Sequence, residues 1–351
     1  MARKYITDDG SKSLEAQSKV SYSEVRVQGP FRSQPGTFGP MPVRFAWCCI
    51  RWCCFCVLLP VHVVATEGGD TLRAGVDTLT AQKSACCLRT VAIVGGVGTL
   101  GAYVVLDQAW YAQYDRTSFH LFDDGGEWYL MDKTGHTFNS YMLGEWGHAV
   151  LTRCGAAPRT ARWVGGSIGL ALLTGVEVLD GTSAGWGFSN WDMIANVAGA
   201  GLFIGQDLGW GEQRMRFKLS SHLTDYAAQR PDLLGTSVPE RVLKDYNGLT
   251  LWLSGNLRSI TRSPKLPAWL NVAVGYGAEG FINARPEENV DVHGLTPYRQ
   301  FYLAPDLDLR RIPCKSKLGR TLLFLLNSIK VPAPTLEIQS TGKVVGHWLY
   351  F

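Results

Sequence analysis

Three apolar segments of this 351-residue chain each carry a pair of polar residues about one helical turn apart. The segments cover residues 129–150, 163–178 and 192–209. Each apolar run is shorter than the roughly 20 residues of a membrane-spanning helix. A helix that is apolar nearly all round has to be buried in a bilayer or in a large core. Because residues three or four apart share one helical face, each polar pair should point toward a neighbouring helix.

The polar residues in these segments are of types that can carry chemistry. They are Asp132 and His136 with Lys133 between them, then Glu177 with Asp180 just after the second segment, and then Asp192 and Asn196. Ionisable groups in apolar helices are costly unless they pair with one another. We therefore expect these seven side chains to converge in one buried polar cluster.

Four roles are open for such a cluster. His, Asp and Glu are metal ligands, but a two-histidine spacing is missing, so we expect no metal. Asp132, His136 and Glu177 are the candidates for acid and base catalysis, because burial shifts the pKa of such groups. The cluster could also recognise the polar part of a membrane lipid or envelope glycan. The residues favour the fourth role, a network that fixes the helices relative to one another.

A glycine motif at residues 91–111 first suggests a nucleotide site. Gly96, Gly98 and Gly101 spell G-x-G-x-x-G after an apolar, β-branched run, as in a dinucleotide-binding turn. No repeated strand–helix unit follows, so we interpret residues 88–106 as an apolar helix and expect no cofactor. Small residues then allow close helix packing. The glycines predicted to do this are Gly98, Gly101, Gly199 and Gly201.

The N-terminal part of the chain has the pattern of an export signal. From Met41 it reads MPVRFAWCCIRWCCFCVLLPVHVVATEGG, with Arg44 before an apolar stretch and small residues before Thr66. We predict a disordered or over-extended start at 1–40, a signal peptide at 41–65 and a linker at 66–87. An apolar helical domain at 88–214 and a C-terminal region at 215–351 follow. Export places the protein in the cell envelope, with the choice of membrane open.

Composition and strand patterns complete the predicted fold. Charged residues make up 18% of the chain, where about 25% is usual for soluble proteins. The net charge of +4 is spread without a basic face, so nucleic acid is not an expected partner. Strands are predicted at 298–303, 336–339 and 343–351. The fold class we expect is mainly α, a membrane-associated helical set with a polar core, followed by an α+β C-terminal region.

Two family resemblances follow from these motifs. DKTGHTFNSYML and GVEVLDGTSAGWGFSNWDMIANVAGAGLFIG resemble the YfiM-like family of predicted periplasmic lipoproteins, a domain of unknown function, in its long Gram-negative form. The chain is more distantly similar to VanZ-like membrane proteins. That likeness places Asp132, Lys133, His136, Glu177, Asp192, Asn196 and Gly199 on the VanZ-like motif positions. Asp180 departs from that pattern.

These observations predict an exported, membrane-associated envelope protein with a structural or lipid-handling role. The alternative is a membrane-associated enzyme that acts on an envelope lipid or glycan through Asp132, His136 and Glu177. The expected partner in either case is a membrane lipid or an envelope glycan.

Overall fold

The computed structural model describes residues 71–112 and 114–351, so the predicted signal peptide at 41–65 and the segment before it lie outside the described residues. The main helices of the first half are α1 (Thr71–Leu106), α2 (Met131–Arg153), α3 (Ile168–Asp180) and α4 (Asn190–Trp210). Two short strands, β1 (Leu121–Phe122) and β2 (Phe188–Ser189), pair in parallel. Helical turns at Asp107–Tyr111, Glu127–Leu130, Pro158–Thr160 and Ala161–Gly165 join these elements.

The second half is built on a six-stranded antiparallel sheet in which every strand pairs with the next one along the chain. Its strands are β3 (Met215–Ser221), β4 (Leu249–Asn256), β5 (Leu270–Glu279), β6 (Tyr298–Leu307), β7 (Ala333–Gln339) and β8 (Val344–Tyr350). Short helices lie between them: α5 (Pro231–Leu234), α6 (Val238–Lys244), α7 (Leu257–Thr261), α8 (Pro286–His293) and α9 (Lys317–Leu326).

The prediction of a mainly α, membrane-associated helical set is wrong. About half of the described chain is helical, and the rest includes the six-stranded sheet. Two described stretches, Gln82–Leu106 and Pro158–Asp180, are long and apolar enough to cross a membrane by length and composition. The predicted strands at 298–303, 336–339 and 343–351 correspond to β6, β7 and β8, whereas β3, β4 and β5 were missed.

The sheet is polar on its inner face and apolar on much of its outer face. On β6, Tyr302 and Asp306 are buried inward, while Leu303 is 49% exposed on the other side. Register aligns Leu303 with Val274 and Leu336, which are also exposed. The Lys218 ammonium of β3 lies 2.8 Å from Asp306, across two intervening strands. The sheet is therefore strongly curled around buried charges.

Close approach of α2, α3 and α4 depends on glycine, but mostly not on the glycines predicted. A Cβ on Gly199 would collide with the Thr137 carbonyl of α2, so glycine at this position lets α4 lie close to α2. At Gly98, Gly101 and Gly201 no described atom lies near the space that a Cβ would fill, so their packing role stays a prediction. One contact that was not predicted is at Gly169, where a Cβ would meet the α2 backbone at Ser140.

Helix α1 contains the G-x-G-x-x-G sequence and the apolar run at 91–94 in one continuous helix. It also includes much of the segment predicted as a linker. A disulfide between Cys87 and Cys154 attaches it to the C-terminal end of α2. The Tyr103 hydroxyl donates a 2.7 Å hydrogen bond to the Leu172 carbonyl of α3. These contacts hold α1 against the other helices and leave apolar residues such as Val97 exposed.

Candidate functional site: a buried polar cluster

Two local structures place the acidic residues at the start of α2 and α4. Pairing of β1 with β2 brings Asp124 beside Ser189, whose hydroxyl donates a 2.6 Å hydrogen bond to the Asp124 carboxylate. Ser189 also accepts from the backbone N–H of Asp192 and so forms the N-cap of α4. Asp124 and Asp192 therefore lie side by side.

A left-handed turn of three non-glycine residues aims the first turn of α2 at this pair. Trp128, Tyr129 and Leu130 have φ values of 50°, 48° and 69°. Left-handed backbone is unfavourable for such residues, so the surrounding contacts have to hold it. The Trp128 N–H donates to the Ala284 carbonyl at 2.8 Å, and the Tyr276 hydroxyl donates to the Tyr129 carbonyl at 2.5 Å.

Lys133 lies at the centre of the cluster. Its ammonium is 2.5 Å from Asp124, 2.9 Å from Asp132 and 3.1 Å from Asp192. The three carboxylates come from separate segments: the loop after β1, α2 and α4. Tyr246, from the region between β3 and β4, donates a 2.7 Å hydrogen bond to Asp132. One ammonium thus contacts three carboxylates. One of these, Asp132, is also hydrogen-bonded to Tyr246 in the connection between β3 and β4.

His136 forms the second half of the cluster, one turn further along α2. Its Nδ1 lies 3.1 Å from Asn196 Oδ1 and 3.7 Å from Glu177 Oε1. Its Nε2 lies 3.9 Å from Asp132 and 3.8 Å from Asp192. Glu177 is fixed through its other oxygen, which accepts the Ser189 N–H at 3.1 Å. Glu177 Oε1 and Asn196 Nδ2 have no hydrogen-bond partner among the described residues.

Burial and charge move the pKa values of the cluster acids in opposite directions. Burial raises the pKa of Glu177 to about 8, although the Ser189 N–H acts against this. Burial also raises the pKa of Asp192, and the negative charge of Asp132 adds to the effect. For Asp132 the same burial is outweighed by His136 and Lys133, so its pKa lies below the ordinary value. At neutral pH the cluster therefore holds Asp132 ionised and Glu177 protonated.

Six of the seven side chains expected in the cluster lie together in the structure. Asp180 makes its hydrogen bond elsewhere, accepting from the Tyr111 hydroxyl after α1 at 2.7 Å, and burial raises its pKa to about 6. Asp124 and Tyr246 belong to the cluster but were not predicted. The paired acids in FHLFDDGGEW were a visible signal for Asp124, whereas Tyr246 had none in the sequence.

Asp132, His136 and Asp192 also have the arrangement of a cation site, since their ligand atoms lie within 4.8 Å of one another. Two of these three ligands are already ion-paired with Lys133. A divalent ion would have to compete with that internal ammonium for both carboxylates. The donor set therefore fits the lysine cation better than a metal.

We expect Glu177→Gln to remove part of the pH dependence of folding stability. The unfolded chain releases this proton near the ordinary pKa of 4.5, whereas the folded protein keeps it up to about pH 8. Between these values the folded state binds more protons, so stability falls as the pH rises. Urea unfolding from about pH 5 to about pH 9 should give a flatter profile for the neutral variant, which becomes the more stable protein at the alkaline end.

The matched control is Glu287→Gln, at an exposed position in the first turn of α8. This variant should keep the pH profile of the parent protein. An unchanged slope in Glu177→Gln would contradict the raised pKa of Glu177.

Comparison with known proteins gives one match. No curated protein and no solved structure matches the chain. Nothing in the comparisons supports the VanZ-like resemblance. Residues 121–204, from β1 into α4, match the family model described as "Predicted periplasmic lipoprotein (DUF2279)", a segment that contains all of the cluster except Tyr246. This match supports the coarser form of the YfiM-like resemblance and an envelope location.

Proposed function

We propose that this is a non-enzymatic protein of the cell envelope in which the polar cluster is a structural joint. The observation that carries the proposal is the coordination of Lys133, which pairs with acids from three chain segments. Through Asp132 and Tyr246 the same network reaches the strand region. A joint of this kind fixes α2 and α4 and ties them to the loop between β3 and β4.

Burial of the cluster supports a structural role. The side chains of Glu177, Asp192 and Lys133 are 1%, 5% and 10% exposed. A cavity of about 330 Å³ lies near the other end of α2, where Glu145, His148 and Arg216 line it. No cluster residue lines that cavity. The charged groups of the cluster therefore contact one another and do not line this cavity.

The disulfide supports export. Disulfide bonds persist in oxidising compartments and are rare in the cytosol. Cys87 and Cys154 are joined in the structure, and Cys154 falls in the segment that matches the family of predicted periplasmic lipoproteins. Both observations agree with a protein that folds outside the cytoplasm.

A second candidate function is acid and base catalysis at His136. It is favoured by Glu177 Oε1, which is unpartnered among the described residues and lies 3.7 Å from His136 Nδ1. A protonated acid beside an imidazole could exchange a proton through a small rearrangement. The substrate class would be the envelope lipid or glycan expected from the sequence.

Asp132→Asn and His136→Gln separate the two functions. For a structural joint we expect each variant to lower the free energy of unfolding by about 1–3 kcal/mol, because each leaves buried partners unsatisfied. Complementation of a deletion strain should then fall only as far as folded protein is lost. Urea unfolding and envelope integrity are the two measurements.

The controls are Asp291→Asn and His293→Gln, at exposed positions of α8. They should leave both measurements unchanged. A cluster variant that is as stable as the parent protein but fails to complement would contradict the structural function and favour catalysis.

A further inference from the structure

The chain between Asp308 and Glu337 contains no acidic residue. Its basic residues are Arg310, Arg311, Lys315, Lys317, Arg320 and Lys330. Helix α9 lies in the middle of this segment, with Ser316 as its N-cap. The even spread of charge over the whole sequence hides this local positive run.

Helix α9 exposes an apolar stripe. Leu318, Leu322 and Leu325 follow the helical repeat and are 61%, 49% and 39% exposed, and Leu326 beside them is 48% exposed. No residue of α9 is buried. The opposite side is held by Phe324, whose ring lies under the guanidinium groups of Arg153 and Arg310. The helix is therefore fixed to the protein with its leucines turned outward.

The positive charge beside the stripe is available to an external partner. Arg310 pairs with Glu145, Arg311 with Asp308 and Glu212, and Lys330 with Asp306. Lys315, Lys317 and Arg320 are exposed and make no ion pair with any described residue. Lys315 and Lys317 lie at the N-terminal end of the four-leucine stripe, whereas Arg320, four residues before Phe324, lies on the other side of α9.

An anionic lipid surface matches both features. A basic amphipathic helix lies in the membrane interface with its apolar face at the acyl boundary, and each basic residue near the surface adds attraction to anionic headgroups. At 10 residues, α9 is about 15 Å long. This length is too short to span a bilayer but is compatible with a helix that lies in the membrane interface. A second copy seated symmetrically on α9 would bring like charges together.

We propose that α9 is a membrane-docking helix for anionic phospholipid. Leu318, Leu322, Leu325 and Leu326 enter the boundary between headgroups and acyl chains. Lys315 and Lys317, at the N-terminal end of the stripe, contact the lipid phosphates. None of these residues belongs to the buried polar cluster. The docking function can therefore be tested independently of the structural-joint function.

Hydrogen–deuterium exchange on the full chain tests the proposal directly. Vesicles of phosphatidylglycerol with phosphatidylethanolamine should slow amide exchange in α9, whereas phosphatidylcholine vesicles should not. Helix α6, with the exposed residue Leu243, is the internal control and should not change. Because exchange is resolved along the sequence, vesicle contacts made elsewhere in the chain do not obscure the result.

Vesicle co-sedimentation of variants then separates the contribution of the leucines from that of the basic residues. The binding compared is the part that depends on α9, as identified by hydrogen–deuterium exchange. Leu318→Glu with Leu322→Glu should weaken the α9-dependent binding about tenfold or more. Lys315→Gln with Lys317→Gln should weaken it about tenfold or more at low salt. Leu243→Glu is the matched control and should bind like the parent protein.

Three outcomes would overturn the proposal. The first is unchanged α9 exchange with anionic vesicles. The second is equal protection by phosphatidylcholine vesicles. The third is protection that appears without lipid as the protein concentration rises, which would assign the stripe to a second copy of the chain.

Discussion

Lys133→Met should be the most destabilising conservative substitution in the polar cluster, lowering the free energy of unfolding by about 3–5 kcal/mol. Methionine nearly matches lysine in length but carries no charge. The variant leaves Asp124, Asp132 and Asp192 close together without the ammonium that neutralises them. Removing one partner of a buried ion pair costs far more than replacing the whole set. Urea unfolding followed by tryptophan fluorescence measures the loss.

The exposed Lys265→Met substitution is the control and should change stability by less than about 0.5 kcal/mol. A triple variant tests this further. Lys133→Met combined with Asp124→Asn and Asp192→Asn removes two of the three carboxyl groups that have lost their ammonium partner. It should recover part of the lost stability. If Lys133→Met is as stable as Lys265→Met, Lys133 does not hold the cluster together and the structural-joint function fails.

The cluster shows which part of a site a local pattern can predict. Asp132 and His136, like Asp192 and Asn196, were grouped correctly onto single helical faces, because the helical repeat is a local property. Asp124 and Tyr246 depend on contacts between distant parts of the chain. Asp124 is placed by the parallel pairing of β1 with β2, and Tyr246 by packing of the strand region against α2.

The left-handed turn before α2 is a second limit on prediction. Glycine or asparagine at a turn signals positive φ, but Trp128, Tyr129 and Leu130 carry no such signal. Their conformation is fixed by partners far along the chain, including Ala284 and Tyr276. A sequence pattern cannot contain those constraints.

The missed strands have a different cause. Strand β3 reads MRFKLSS, and its inward side chains are Arg216, Lys218 and Ser220, all buried. A strand search expects the buried face to be apolar, so this alternation looks like an exposed charged segment. The partners that make burial possible, Glu145 and Asp308 for Arg216 and Asp306 for Lys218, lie on other elements. Reversed polarity therefore hid β3, and strands missed in this way contributed to the incorrect mainly α prediction.

The disulfide could not be predicted either, because four cysteines after the signal peptide are too few to define a pairing. In the structure Cys87 joins Cys154, while its neighbour Cys86 is exposed and free. The two adjacent residues differ only in which side of α1 they occupy. Cys87 faces the end of α2, where Ser84, one turn earlier, donates a hydrogen bond to the Cys154 carbonyl.

Cys154→Ser should lower the free energy of unfolding by about 4 kcal/mol. The disulfide closes a loop with a sequence separation of 67 residues, and the chain-entropy relation for a loop of that length gives about this value. Cys154 is the better position to change, because with Cys87 replaced the adjacent Cys86 could pair in its place. The measurement is urea unfolding under oxidising and reducing conditions.

Cys314→Ser is the matched control, since Cys314 is free in the structure, and it should keep the parent stability. A reducing agent should destabilise the parent and the Cys314→Ser variant but not Cys154→Ser, which has already lost the cross-link. Equal stability of Cys154→Ser and the parent under oxidising conditions would show that the bond does not hold α1 to α2. The loss is expected to be large because the described side-chain contacts between α1 and the other helices are few, and the disulfide is the covalent one among them.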